Sequence, residues 1–506
     1  MKEMDSRNAI MRNMTWSILA VAVNSCMKLF ITPYVANNIG VEAYGYVTLA
    51  TTFTSYIDII SVSLNAFAGR FISVAYHRND LKRAKRYYSS TIVADIFLAL
   101  ITLIPGTVVI SCLGTILKVP NRLLADVQVL FALTLLKYLL TVVRTAFDTA
   151  SFLANRLDLS EKKQSISYLL QAGLLLPLCA FLTPHVWYVG AAAAVAAVYL
   201  LIANYRLCRR LTPKLTYEWS AWSPTAVKEI VSTGIWTSLN NLGNVLNSGL
   251  DLLITELMLN ARALGEISVA KNLVLLCYTI IMKVSNAFQP RLLLLYAENR
   301  KDELISLYQT AIKIMGSACI LMIAVFYICG YDFLALWLPG QDTEFLFRAT
   351  MIVFGGDVIP AAVKPLYYAY TLTKKVKVPC IVTILMGSAN VISMYFLIRF
   401  THLGAYAVIL TTLVINMVHF IDAPLYAAYC LRVPYATFYP AIFRHFVGTG
   451  AGLLTAVLIR NALPQARNWG ILAVKGTASL IIFTIFLSVV MFSASERQMA
   501  LRRRKK

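Results

Sequence analysis

Apolar runs of about 20 residues or more recur along the whole chain, separated by short basic loops. A run of that length crosses the roughly 30 Å hydrocarbon core of a bilayer as an α-helix. In lipid, only helices and closed barrels satisfy every backbone N–H and C=O internally. A barrel would show alternating segments of about ten residues, and the sequence has none. The expected fold class is an all-α polytopic membrane protein with about 14 transmembrane helices. Composition agrees, since 59% of the 506 residues are hydrophobic and 14% charged, with a mean hydropathy of +0.68.

A net charge of +22 would suggest nucleic acid in a soluble protein. Here its placement gives a simpler reading, without a nucleic-acid partner. Basic residues gather in alternate loops, as in the stretch Arg78, Lys82, Arg83, Lys85, Arg86, in Arg206 to Lys214, in Lys374 to Lys377, and in the tail Arg502 to Lys506. That side holds about 30 Lys and Arg against about six on the other, so both termini are expected in the cytoplasm. The first apolar run is too long for a cleavable signal and contains Asn24 and Lys28. The nine cysteines are scattered without a Cys-x-x-Cys pair, and neither disulfide nor metal site is expected.

The chain also repeats itself at a spacing of about 220 residues. Asn65-Ala66-Phe67-Ala68-Gly69-Arg70 closes the second span and Asn286-Ala287-Phe288-Gln289-Pro290-Arg291 the eighth; Gly45 matches Gly265, and Gly190-Ala191 matches Gly404-Ala405. An even number of spans per repeat makes the two six-helix halves parallel repeats, an arrangement that places a substrate path between them. The expected organisation is an N-terminal half at 1–211, a second half at 212–435, and two further helices with a basic tail at 436–506.

Within the spans, polar residues fall on shared helix faces. Thr237, Asn240, Asn244, Asn247, Asp251 and Thr255 are spaced by three or four in the seventh span and form one expected stripe. Lys28 matches Asp251 across the repeat, with Asn24 and Thr32 on its own face. In the fourth span Lys137, Arg144 and Asp148 are seven and four apart, and Asp357, Lys364 and Tyr368 repeat that spacing in the tenth. Asp58 and Asn65 share a face of the second span, and Lys271 and Lys283 lie in the eighth. Intramembrane charge is costly and faces protein or water. Two readings stay open, a salt-bridge network such as Lys28 with Asp251, or an inward cationic surface for a phosphate or acidic sugar. The excess of Lys and Arg favours the second. Arg70 and Arg291, at the expected cytoplasmic ends of their helices, are snorkelling anchors or greet a lipid phosphate. Asp251, Asp58 and Asp357, with Lys364, Asn244 and Asn247, are candidates for coupling or gating, and the tenth span is interrupted by Gly355-Gly356, Pro360 and Pro365. His419 and Asp422 form a polar pair or a proton relay.

No phosphate-binding Gly-x-x-x-x-Gly-Lys-Ser/Thr loop, His-Glu-x-x-His or Gly-x-Ser-x-Gly occurs. The expectation is a chain without cofactor and without covalent chemistry, not an enzyme. A membrane-embedded glycan polymerase is the more distant alternative, because that chemistry calls for a sizeable outer loop and those here stay below about 20 residues.

Asn13 to Trp16, Pro33, Gly40-Val41-Glu42-Ala43-Tyr44-Gly45, Arg70 and the basic loop after it resemble polysaccharide flippases of the Wzx type, within the multidrug/oligosaccharidyl-lipid/polysaccharide exporter superfamily. The resemblance implies a multi-pass protein of the bacterial inner membrane. Such a protein moves an undecaprenyl-pyrophosphate-linked oligosaccharide between leaflets by alternating access, for surface polysaccharide biosynthesis. It implies membrane lipid and a lipid-linked oligosaccharide as partners, with H+ or Na+ coupling and a glycan polymerase as further ones. A cationic lumen is a feature of such proteins, and the helix-face argument puts Lys28, Lys137, Arg144, Lys271 and Lys283 there. The rivals within the superfamily are a drug/cation antiporter, which the lysine excess disfavours, and a peptidoglycan-precursor flippase, which it does not.

Overall fold

The computed structural model describes residues 2–491 apart from Asn155, and the side chains of residues 2–14, 17 and 18 are outside that description. Asn13 of the flippase-like opening and the basic tail therefore lie outside the described side chains. The described residues are helical with no strand, and thirteen helices are long and apolar enough to cross a membrane. They are α1 (Lys2–Asn38), α2 (Val41–His77), α3 (Leu81–Ser111), α4 (Leu124–Leu153), α5 (Leu157–Phe181), α6 (Trp187–Leu211), α8 (Ala261–Ala297), α9 (Lys301–Trp337), α10 (Thr343–Leu372), α11 (Lys377–Phe400), α12 (Ala405–Leu431), α13 (Tyr439–Ala462) and α14 (Trp469–Val490). The remaining one, α7 (residues 224–258), is split into Pro224–Asn244, a π turn Val245–Gly249 and Asp251–Met258. The structure is an all-α polytopic membrane protein with about 14 spans, as expected.

By backbone contacts the chain divides into two compact units. The first is Met1–Gly265 with Thr383–Ser388, the second Glu266–Val382 with Ala389–Lys506.

In the first unit α2 is the hub, packed against α3, α4 and α7. Small residues let these helices approach, because lipid supplies no hydrophobic drive between apolar helices and close van der Waals contact must do the work. A Cβ on Gly234 would lie 1.9 Å from the Ser63 carbonyl oxygen, so α7 crosses the α2 backbone at a distance only glycine allows. Gly45 and Gly265, matched to each other by the repeat, meet: a Cβ on Gly45 would stand 2.8 Å from the Gly265 nitrogen. The alanine run of α6 plays the same part against α4, with Ala192, Ala193, Ala194, Ala196 and Ala197 all buried.

The polarity of α3 is turned inside out. Phe97, Leu100 and Ile104 are exposed at helical spacing, as suits a lipid-facing stripe. Asp95 and Ser90 on the other side are fully buried.

In the second unit α9 is the hub, against α10, α13 and α14. The tenth span is interrupted where its prolines fall: α-helix runs to Asp357, a 3₁₀ segment Ile359–Tyr367 follows, and α-helix resumes at Tyr368. Pro360 and Pro365 have no N–H to give an α-ladder, which accounts for the tighter winding.

Candidate functional site

The first unit gathers three of the expected cations. Lys28 on α1 and Lys137 on α4 are both half-buried, and Lys137 lies within electrostatic reach of both Lys28 and Arg144. Spacing on α4 explains the second contact, since residues seven apart return to one helix face. Arg144 is compensated by Asp148, with Nε 3.3 Å from Oδ2, and its Nη1 donates to Gln164 at 3.3 Å. Lys28 and Lys137 make no ion pair with any described residue. The alternative of a Lys28–Asp251 bridge is therefore not what the structure forms. The cluster keeps two uncompensated ammonium groups, which suits an anion.

The reason Asp251 goes elsewhere is the π turn. One surplus residue in a helix turns everything beyond it by about 100°. Asn240 and Asn244 are exposed and Asn247 half-buried, whereas Asp251 is 1% exposed and Thr255 and Glu256 are fully buried. The single stripe expected from Thr237 to Thr255 is thus two faces, and the correction follows from a wider turn that 3.6-residue counting could not include. Tyr56 of α2 secures the turn by donating its hydroxyl to the Gly249 carbonyl at 2.7 Å, and Tyr46 donates to Glu256 at 2.9 Å.

A second polar group lies between α2, α3 and α4. Asp58 accepts from Ser61, whose hydroxyl also accepts from Tyr138 at 3.3 Å. Tyr138 is within electrostatic reach of both Asp58 and Asp95. Asp95 is fully buried and faces Asn65, with neither carboxylate oxygen at good hydrogen-bonding geometry. Sequence reasoning missed Asp95. Its signal was a lone acid among Ile92, Val93, Ala94, Ile96, Phe97 and Leu98, and a charge inside a span is a functional candidate by default.

In the second unit the charges around the interrupted span are matched. Lys364, on the 3₁₀ segment, lies within reach of Asp422 and Asp357 and places its ammonium 4.6 Å from the Tyr367 ring centre. Asp357 accepts from Asn416 at 3.3 Å. The Nδ1 of His419 is 3.0 Å from the Tyr367 hydroxyl and 3.1 Å from an Asp422 oxygen. Asn286, of the repeated Asn-Ala-Phe motif, accepts from Tyr368 at 2.7 Å. Lys271 is half-buried and Lys283 exposed on α8. Another pair that sequence reasoning missed ties α14 to α9, with the buried Lys475 ammonium 2.8 Å from Asp332.

Arg70 and Arg291 are exposed, but neither ends its helix. α2 continues to His77 and α8 to Ala297. The expected ends were placed where the apolar run stops, and the backbone ladder extends about two turns farther into polar sequence.

Comparison with known proteins agrees with this architecture. A model of the family described as "Polysaccharide biosynthesis protein" matches residues 10–293. An uncharacterized membrane protein of Bacillus subtilis (strain 168), EpsK, is 27% identical over 498 residues, covering 98% of each chain. Among solved structures, the lipid II flippase MurJ in an inward closed conformation has a TM-score of 0.69 at 13% identity, covering 94% of this chain and 99% of that one. An inward-facing multidrug resistance MATE family transporter of the MOP superfamily has a TM-score of 0.66 at 14% identity, covering 82% and 99%. At such identities these likenesses show the fold. The family match extends over more than half of the sequence, and the chain is a membrane-spanning member of the polysaccharide biosynthesis protein family.

Proposed function

We propose that this protein translocates an undecaprenyl-pyrophosphate-linked oligosaccharide across the bacterial inner membrane by alternating access, with both termini in the cytoplasm. The observation that carries the reading is the pair Lys28 and Lys137, two ammonium groups within reach of each other and without a carboxylate partner among the described residues. Holding like charges together is unfavourable in a medium of low dielectric, and an incoming pyrophosphate removes that cost. Arg144 would contribute beside them while Asp148 orients it. A drug/cation antiporter would need the opposite balance. A peptidoglycan-precursor flippase shares the pyrophosphate chemistry and remains the second reading, supported by the fold shared with MurJ.

Coupling to an H+ or Na+ gradient would use the intramembrane carboxylates Asp58, Asp251 and Asp357. Asp95 joins them on the strength of its full burial beside Asn65. A gradient can drive such a cycle only if the ion distinguishes its two states energetically. A glycan polymerase is the expected recipient of the product.

The test is flipping of the lipid-linked oligosaccharide by the purified full-length protein in vesicles. Lys28→Ala and Arg144→Ala should each reduce the rate at normal protein levels, and full activity in both would remove the cationic site. Asp95→Asn should uncouple flipping from an imposed gradient. A rate indifferent to collapse of both H+ and Na+ gradients would remove coupling. Equal rates for lipid II and the oligosaccharide would favour the second reading.

A further inference from the structure

Outside the spans the first unit carries a groove of about 1060 Å³ where α3 and α7 begin and the α6–α7 loop crosses between them. Its lining includes Lys82, Arg83, Lys85, Arg86 and Lys214 against Asp80, Glu218 and Glu229. Each carboxylate is already engaged. Asp80 caps α3 by accepting from the Arg83 N–H at 3.0 Å. Glu218 pairs with Lys85, whose ammonium holds that carboxyl below its usual range. Glu229 accepts from Tyr87 at 2.8 Å and stands 3.8 Å from Arg83. Among the described residues Arg86 bonds only to the hydroxyls of Ser223 and Thr225, and Lys82 and Lys214 make no ion pair with any of them. Three cations therefore remain for something else.

The groove is also built in advance. Ser89 and Ser90, both fully buried on α3, accept from the backbone N–H groups of Glu218 and Ser223 at 3.0 Å each, and Ser90 donates to the Ser223 carbonyl at 3.3 Å. These bonds pin both ends of the segment 218–223. Between them the chain makes a 3₁₀ turn, Trp219–Ala221, that presents Trp219 outward at 72% exposure, with Tyr217 and Trp222 also exposed. A pinned loop that turns indole rings away from the protein, beside uncompensated cations and at the mouths of two membrane helices, is arranged for the headgroup layer of a bilayer. Indole rings prefer that layer, and Lys and Arg are attracted to its anionic lipids.

We infer that this groove binds the phosphodiester headgroup of an anionic glycerophospholipid, with Trp219 and Trp222 resting among the glycerol and upper acyl groups. The site is independent of the intramembrane cations, and lies on the side of the membrane where basic loops collect.

Full-length protein exchanged into mixed micelles of phosphatidylglycerol and phosphatidylcholine tests this, with bound lipids counted by native mass spectrometry. Wild type should retain phosphatidylglycerol preferentially. Each lysine near a membrane surface is worth about a fivefold factor, so Lys82→Gln with Lys214→Gln should cut the preference by roughly thirtyfold. Trp219→Ala should weaken retention of both lipids. Size-exclusion elution and thermal unfolding identify any variant that fails to fold, and Lys82→Arg with Lys214→Arg should then restore the preference in a folded background. An unchanged preference in a folded double glutamine variant would overturn the site. Displacement of the lipid by millimolar inorganic phosphate would overturn the lipid assignment in favour of a free-phosphate site.

Discussion

The two units solve the same problem, charge inside a membrane span, in opposite ways. Positions of equal spacing carry Lys137, Arg144 and Asp148 on α4 and Asp357, Lys364 and Tyr368 on α10. In the first unit the lysine's charged neighbours are further cations, Lys28 and Arg144. In the second the lysine sits between Asp357 and Asp422 and over the Tyr367 ring. A neutralised cluster can be structural, because it meets its own electrostatic needs. A cluster left positive is stable in lipid only with water or an anion to answer it. On the proposed function, the difference separates a surface for holding a ligand from a joint that holds itself, and the joint lies where an α-helix gives way to 3₁₀ winding.

Several substitutions break or sharpen that contrast. The largest effect should come from Lys28→Glu, which hands Lys137 an internal partner and removes the vacancy for an anion; flipping in vesicles should fall by at least a hundredfold while thermal unfolding stays near that of wild type. Asp332→Ala should act on stability instead, since it strands the buried Lys475, and a loss of about 3–5 kcal/mol is expected from chemical unfolding in micelles. Lys364→Met should lower the melting temperature more than Lys28→Met does, because it removes a cation within reach of both Asp357 and Asp422, and equal shifts would erase the distinction drawn between the units. The smallest change is Tyr56→Phe. It removes one hydrogen bond to Gly249, worth about 1 kcal/mol, and should appear as faster hydrogen exchange confined to residues near 245–250.

The spans were legible in the sequence because the bilayer imposes one length and one polarity on them. The α4 cluster was legible because α4 is unbroken, so seven-residue spacing does put Lys137 and Arg144 on one face. The α10 interruption was legible from Pro360 and Pro365, which act locally. What escaped depends on neighbours or on backbone geometry. Nothing in the string from Gly234 to Leu259 marks the surplus residue that separates Asn244 from Asp251, since a π turn has no residue-level signature as strong as proline. The extension of α2 past Arg70 escaped because a helix ladder does not stop where hydropathy does. Asp95 was visible as a letter but not as a buried group, because its surroundings come from Asn65 and Tyr138 on two other helices.

The π turn at Val245–Gly249 also makes α7 tolerant of a change in chain length. In most helices, losing a residue throws the far end out of phase. Here a one-residue deletion between 245 and 249 would turn the π turn into an α-turn and leave Asp251, Thr255 and Glu256 on the faces they already occupy, within reach of Tyr46, because the wide turn holds one residue more than a regular one for nearly the same rotation. The seventh helix could thus shorten by one residue at that point, where an unbroken span could not.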